Sequence, residues 1–296
     1  MLPDYLFIGP TKSATTWIDA YLRSRDDVVL PADVKETLFF DKQYQKGLDW
    51  YEGHFKPSPQ SKICVEVAPS LLGKPYAAQR VARDLPNVEV ICTLRNPIDR
   101  AVSHYFHYIR AGAKDVGFFN MCQSNIGIIL VGLYYKNILN WTRLLGPERV
   151  HFLMYEEMVD DLESFCGKLC GILHIPYTDP RAATRSKVNE AGMPRYRMLA
   201  YAARHGADRL RRLGGNRLVN AAKFNSVMKL IYGSRPSVDH RQRIREEAEW
   251  FYDTYRRDYE QLEAMAGIDL SAWKTPLDDR GAVPAAEASV AQAPGA

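Results

Sequence analysis

Cysteine is sparse and poorly arranged for cross-linking. The five cysteines, Cys64, Cys92, Cys122, Cys166 and Cys170, make an odd count and include no C-x-x-C pair. That argues against a disulfide framework and against a zinc site. Cys64 and Cys92 fall in apolar, strand-like segments, and Cys166 and Cys170 lie one helical turn apart, so the set reads as small buried hydrophobes. Long apolar runs are missing too. The longest, from Ile126 to Leu133, suits a core and falls far short of the ~18 residues of a membrane span. No strong charge of one sign is present: the formal net charge is +4 over 296 residues. This gives no reason to expect a nucleic-acid partner. The opening residues, Met1-Leu2-Pro3-Asp4, run straight into an apolar segment without a charged leader or signal core, which predicts a cytosolic protein. Internal repeats are absent. From Pro276 to Ala296 large apolar residues are scarce, and a flexible tail is expected over 276–296.

What is present begins near the N-terminus. Tyr5-Leu6-Phe7-Ile8 is an apolar run, and Ile18-Asp19-Ala20-Tyr21-Leu22 is amphipathic. Between them lies Gly9-Pro10-Thr11-Lys12-Ser13-Ala14-Thr15-Thr16-Trp17. The order is strand, tight turn, helix start. A helix start offers free backbone N–H groups and partial positive charge, and here a lysine and several hydroxyls crowd it. The expected ligand is a phosphate group. The turn is not the G-x-x-x-x-G-K-[ST] loop of nucleoside-triphosphate enzymes, because Lys12 comes too early and Ala14 sits near an expected glycine.

A second strand, Val88 to Leu94, ends in Arg95-Asn96-Pro97 and passes into a helical pattern carrying Ser103. Proline suits a first helical turn. Arg95 brings a planar fork for phosphate oxygens and Ser103 a hydroxyl. Further strands are expected at Ile63–Val67 and Val150–Tyr155, and helices at Tyr76–Asp84 and Leu133–Leu145. Strands alternating with helices predict an α/β fold, a mainly parallel sheet covered on both faces. Ligands in such folds bind beyond the carboxyl ends of the strands, where Lys12 and Arg95 both fall.

These segments resemble the PAPS-dependent sulfotransferases, PAPS being 3′-phosphoadenosine 5′-phosphosulfate. The order lysine, small, small, Thr-Thr is similar to their 5′-phosphosulfate loop, and Arg95 with Ser103 to their 3′-phosphate segment. Val34-Lys35-Glu36-Thr37-Leu38-Phe39-Phe40-Asp41 resembles the K-E-x-x-F-F element of carbohydrate-type and bacterial members, and Glu66-Val67-Ala68-Pro69-Ser70 their E-x-[ST]-P segment. Gly146–Val150 with Tyr155–Met158 resembles their strand and "yEd" corner, and Phe251 to Trp273 their last helix. The resemblance spans roughly 4–110, 130–160 and 236–273. It implies a P-loop-like three-layer sandwich over 1–275, PAPS as sulfuryl donor, and no metal. Pro10, Thr11, Lys12, Ser13, Ala14, Thr15, Thr16, Trp17, Arg95 and Ser103 would bind the nucleotide. Lys12 would also stabilise the leaving oxygen, and Trp17 reads equally well as core.

The acceptor must lose a proton. The K-T-H-L-P histidine element of cytosolic aryl and steroid members does not occur here, and carry-over from carbohydrate-type members makes Glu36 the base. A carboxylate base works best with its pKa raised by apolar surroundings, which Leu38, Phe39 and Phe40 could supply. Glu66 is the competing base, or a partner for Lys12 or Lys35. Val67 stands where family members often carry lysine, so one charged contact to the sulfonate is in doubt. His104 and His107 share a helix face and read as structural. Arg185, Lys187 and Asn189 are further candidates for the 3′-phosphate. From Arg195 to Arg235 ten basic residues interleave with apolar ones against Asp208 alone. This reads as a basic helical insertion or lid over 190–235, either solvated or lying on an anionic membrane beside a lipid-linked acceptor. Two rival functions stay open: a small-molecule kinase, which needs Mg²⁺ and usually an acidic strand end, and a non-catalytic PAP-binding or membrane adaptor.

Overall fold

The computed structural model describes residues 1–183, Gly206 and 236–274. The tail at 276–296, most of the 190–235 insertion, and Arg185, Lys187, Asn189 and Arg235 lie outside the described residues. Five parallel strands form one sheet in the order β2-β3-β1-β4-β5. They are β1 Tyr5–Gly9, β2 Val28–Val29, β3 Ile63–Val67, β4 Glu89–Leu94 and β5 Val150–Met154. Four of them match the expected strands to within a residue at each end. The fifth, β2, is an edge strand of two residues, too short to leave any periodic signal.

The near-continuous apolar strands follow from burial on both faces. Side chains alternate across the sheet, so Leu6 and Ile8 of β1 enter one core while Tyr5 and Phe7 enter the other. The first core is covered by α3 Pro75–Asp84, α4 Pro97–Arg110, α7 Tyr134–Leu145 and the helices Val238–Glu249 and Tyr252–Ala266. The second is covered by α1 Thr15–Arg23 and α9 Leu162–Ile172. The sandwich therefore has three layers. All five cysteines are buried and unpaired.

Sheet order places the site. β1 pairs with β3 on one side and β4 on the other, so the chain ends of all three strands converge. The turn after β3 lies against the end of β1: Ala68 donates its N–H to the Phe7 carbonyl at 2.9 Å, and Leu72 to Ile8 at 2.9 Å. Gly9 is required at this junction. Its φ is +119°, and a Cβ there would come within 2.6 Å of the Pro69 carbonyl oxygen. Backbone strain and steric conflict act together at this position. Gly9→Ala is expected to lower unfolding free energy by about 3 kcal/mol in urea denaturation. A loss below about 1 kcal/mol would mean that the β3 turn can retreat.

Candidate active site at the carboxyl edge of the sheet

The turn from Gly9 to Thr15 is curled by two non-glycine residues with positive φ, Lys12 at 75° and Ala14 at 57°. Ala14 is the residue before α1, and its carbonyl accepts from Trp17 and Ile18. Having no polar side chain, it cannot cap the helix start, so the first-turn N–H groups are left for another acceptor. The hydroxyl oxygens of Thr11 and Ser13 are buried without a hydrogen-bond partner. Such orphans are uncommon in a folded interior and cost about 1–3 kcal/mol each when unsatisfied. Orphaned hydroxyls beside an uncapped helix start fit an anionic ligand such as a phosphate. Thr15 is buried, and Thr16 is half-buried and accepts from Lys35 Nζ at 3.0 Å. Trp17 stacks on Tyr21 at 5.3 Å and meets Phe165 edge-on at 6.2 Å, so it belongs to the second core.

Arg95 leaves the end of β4 and reaches back to this turn, donating from Nη1 to the Lys12 carbonyl at 3.0 Å. Two contacts hold it there, and a third holds the next residue. Its guanidinium lies 4.2 Å from the centre of the Tyr155 ring. Tyr134 donates its hydroxyl to the Arg95 carbonyl at 2.7 Å. Glu156 Oε1 accepts from the Asn96 N–H at 2.7 Å. Strand register explains the first: Leu94 pairs with Met154, so the next residues, Arg95 and Tyr155, emerge side by side. The Asn96 side chain caps α4 by accepting from the Ile98 and Asp99 N–H groups. Arg95 Nε and Glu156 Oε2 are both buried and without a partner.

Positive charge dominates the site. The Lys12 ammonium is pushed down to about 8, first by burial and then by repulsion from Arg110, Arg95, Lys35 and Arg100. No acid is among those causes. Arg100 and Arg110 lie on α4, and Ser103, half-buried, shares their face at helical spacing. Ser103 therefore projects from the side of α4 that faces Lys12. Charges at positions 100 and 110 escaped the sequence reading, although the 100, 103, 107, 110 spacing was visible there.

Two acids border this basic region and differ in environment. Glu66, on β3, is fully buried. Oε1 accepts from the Thr37 N–H and from the Thr37 hydroxyl, each at 2.7 Å, and Oε2 from Tyr51 at 2.7 Å. It is bonded to neither Lys12 nor Lys35 as expected; instead it anchors the segment carrying Glu36. Phe39 and Phe40 turn into the core, where Phe39 stacks on Tyr51 at 4.6 Å. Glu36 is half-buried and accepts a short hydrogen bond from the Ser70 hydroxyl on Oε1. Burial raises it above the ordinary carboxylate range, while Ser70, Lys35 and Lys74 pull the other way.

Comparison with known proteins bears on family and fold. A family model described as a sulfotransferase domain matches residues 2–191. The membrane-associated sulfotransferase kil1 of Dictyostelium discoideum is 32% identical over 112 residues, 37% of this chain and 24% of that protein. Heparan sulfate glucosamine 3-O-sulfotransferase 6 of Mus musculus is 28% identical over 178 residues, 56% of this chain and 51% of that protein. The chain thus spans about a quarter to a half of these curated relatives. The crystal structure of a sulfotransferase from Alicyclobacillus acidocaldarius superposes with a TM-score of 0.62 at 21% identity, covering 93% of this chain and all of the other. That likeness fixes the fold as the α/β sandwich of that enzyme. With the family model covering well over half its length, the chain belongs to the sulfotransferase domain family.

Proposed function

We propose that this protein moves a sulfuryl group from PAPS to a hydroxyl of a carbohydrate or carbohydrate-linked acceptor. One observation carries the reading: a cluster of cations, without an acid among the charges acting on Lys12, adjoins buried and unpartnered hydroxyls at an uncapped helix start. That is a seat for a highly anionic nucleotide. The similarity to a heparan sulfate glucosamine 3-O-sulfotransferase supports the carbohydrate hydroxyl as acceptor class. Five unpaired, buried cysteines suit a reducing, cytosolic setting. Contact with an anionic membrane rests on the 195–235 segment, and sedimentation with anionic vesicles at low salt tests it.

PAPS supplies an activated sulfuryl group whose in-line transfer needs positioning and charge stabilisation more than covalent chemistry. Thr11, Ser13, Thr15 and the α1 N–H groups hold the 5′-phosphate. Lys12 stabilises charge on the departing oxygen. Arg95, held over the Tyr155 ring, and Ser103 hold the 3′-phosphate. Glu36 accepts the acceptor's proton on Oε2, with Oε1 occupied by Ser70. Lys35, bonded to Thr16 and acting on both Lys12 and Glu36, is suited to balance the sulfonate charge. Glu66, with both oxygens engaged, keeps the Glu36 segment in place. The kinase reading receives no support from β4, whose end carries Arg95 where a metal-binding acid would be expected.

The reading is tested by titration calorimetry with PAP in the presence of EDTA, against Mg-ATP as competitor. PAP binding without Mg²⁺ is the expected result, and Mg-ATP binding alone would favour the kinase. Glu36→Gln is expected to lower kcat roughly 10²- to 10⁴-fold while PAP affinity holds. Retained turnover would move the base to Glu66 or a histidine. The pH profile follows from the two shifts. Glu36 acts ionised and its pKa is raised, so the acid limb lies above 4.5 and activity falls as pH drops through it. Lys12 acts protonated, so kcat/KM falls as pH rises through about 8. Lys12→Arg should remove that upper limb, because guanidinium keeps its proton. An unchanged upper limb in this variant would show that another group titrates there.

A further inference from the structure

Helix α4 presents a polar stripe, with Arg100 itself buried, on the side away from its buried apolar residues Ile98, Ala101, Val102, Tyr105, Phe106 and Ile109. Arg100, Ser103, His104, His107 and Arg110 make up the stripe at i, i+3, i+4, i+7 and i+10. Its two arginines both depress Lys12, and Lys12 in turn acts on His104. The stripe therefore lies alongside the phosphate loop, with His104 inside the region of influence of Lys12.

Arg100 is fully buried, and no ion pair to it occurs among the described residues. One of its terminal nitrogens donates to the Ile128 carbonyl, and Nη1 lies 3.3 Å from His104 Nδ1. A guanidinium has donors only and keeps its proton, so His104 Nδ1 must be the acceptor. An accepting nitrogen carries no proton, and the ring proton is thereby fixed on Nε2. The ring is held nearly parallel to Tyr108, with centroids 5.2 Å apart and planes 20° from each other. No described residue accepts a hydrogen bond from Nε2. Burial together with Arg100, His107 and Lys12 pushes the imidazole down to about 3, so it stays neutral. Such a ring cannot serve as the general base, since Nδ1 is occupied and Nε2 already holds a proton. It can donate one N–H to an anion without adding charge to a region that already holds Lys12, Lys35, Arg95, Arg100 and Arg110.

We propose that His104 is an anion-binding residue of the sulfuryl-donor seat, a neutral Nε2–H donor to a phosphate oxygen of the nucleotide, and that Arg100 is the positioning residue that sets its tautomer. The proposal rests on the nucleotide reading above. It extends that reading to a residue the sequence analysis treated as structural.

Imidazole ¹⁵N NMR of the full chain tests it, with the His104 resonances among the seven histidines assigned by their loss in His104→Gln. The expected spectrum has a protonated Nε2 and an unprotonated Nδ1, and addition of PAP moves the Nε2 resonance. His104→Phe is expected to weaken PAP about tenfold or more, the effect of removing one donor to a charged acceptor. His104→Gln, whose amide N–H can occupy the Nε2 position, should recover most of that loss. Arg100→Lys should mix the two tautomers; if that variant does not fold, the wild-type spectrum alone still decides the tautomer. PAP binding with an unmoved Nε2 resonance, or an Nδ1–H tautomer, overturns the proposal and leaves the nucleotide reading intact. No PAP binding by the wild-type protein overturns both.

Discussion

Crowding of cations in a partly dehydrated site is the constraint around which this sheet edge is arranged. Lys12 is desolvated and then repelled by Arg110, Arg95, Lys35 and Arg100, and together these bring its ammonium down to about 8. Such a cluster weakens the fold, and the surrounding framework must hold it together. The framework is a parallel sheet filled on both faces, with β1 at its centre and β4 beside it. The cations are spread over several parts of it: Lys12 on the turn after β1, Lys35 on the segment that follows β2, Arg95 at the end of β4, and Arg100 and Arg110 on α4. None can relax away without dragging a buried strand or helix. A dianionic ligand would relieve the repulsion, and so would gain affinity from strain already present in the protein.

The two glutamates show how one sheet edge divides acids by function. Both are desolvated, and burial raises both. Glu66 accepts on both oxygens, from Thr37 and Tyr51, and the nearby charge of Glu36 raises it further. Three of its roughly four acceptor positions are already taken, which leaves little room for an incoming proton. Its bonds instead fix the backbone of Thr37, the residue after Glu36. Glu36 has only Ser70 on one oxygen. In the proposed reaction the buried acid thus sets the position of the half-buried one, and the fold keeps them from exchanging roles.

Strands were legible in the sequence wherever both faces of the sheet are covered, because burial on two sides writes an unbroken apolar run. β2, at two residues on the edge, writes nothing. The turn proposed to hold phosphate stood out because its pattern is local: strand, turn and helix start are contiguous. What could not be read was adjacency. Tyr155 meets Arg95 only because β5 pairs with β4 in a register that releases both residues together, and register is a long-range property. The α4 stripe is a different case. Its helical spacing was present in the sequence, but the charges carry meaning only once β4 and β1 are neighbours. Glu66 was legible as an acid in a motif, while its saturation by Thr37 and Tyr51 depended on how the Glu36 segment folds over β3.

The opposite pKa shifts of Lys12 and Glu36 share one physical cause, the loss of water around each, and this has a consequence for the proposed chemistry. Desolvation drives both groups toward neutrality, the lysine downward and the glutamate upward. Arrival of an anion beside them acts in a single direction, since negative charge raises the pKa of every neighbour. For Lys12 that reverses the desolvation and secures the proton needed to stabilise a departing oxygen. For Glu36 it adds to the desolvation and makes the carboxylate a stronger base, provided the working pH stays above its raised pKa. Lys35, which acts on both groups, limits the second effect by holding Glu36 down. The donor would therefore prepare acid and base together. The ordering advantage is that neither group is at full strength until the seat is filled, which favours nucleotide binding before proton removal from the acceptor.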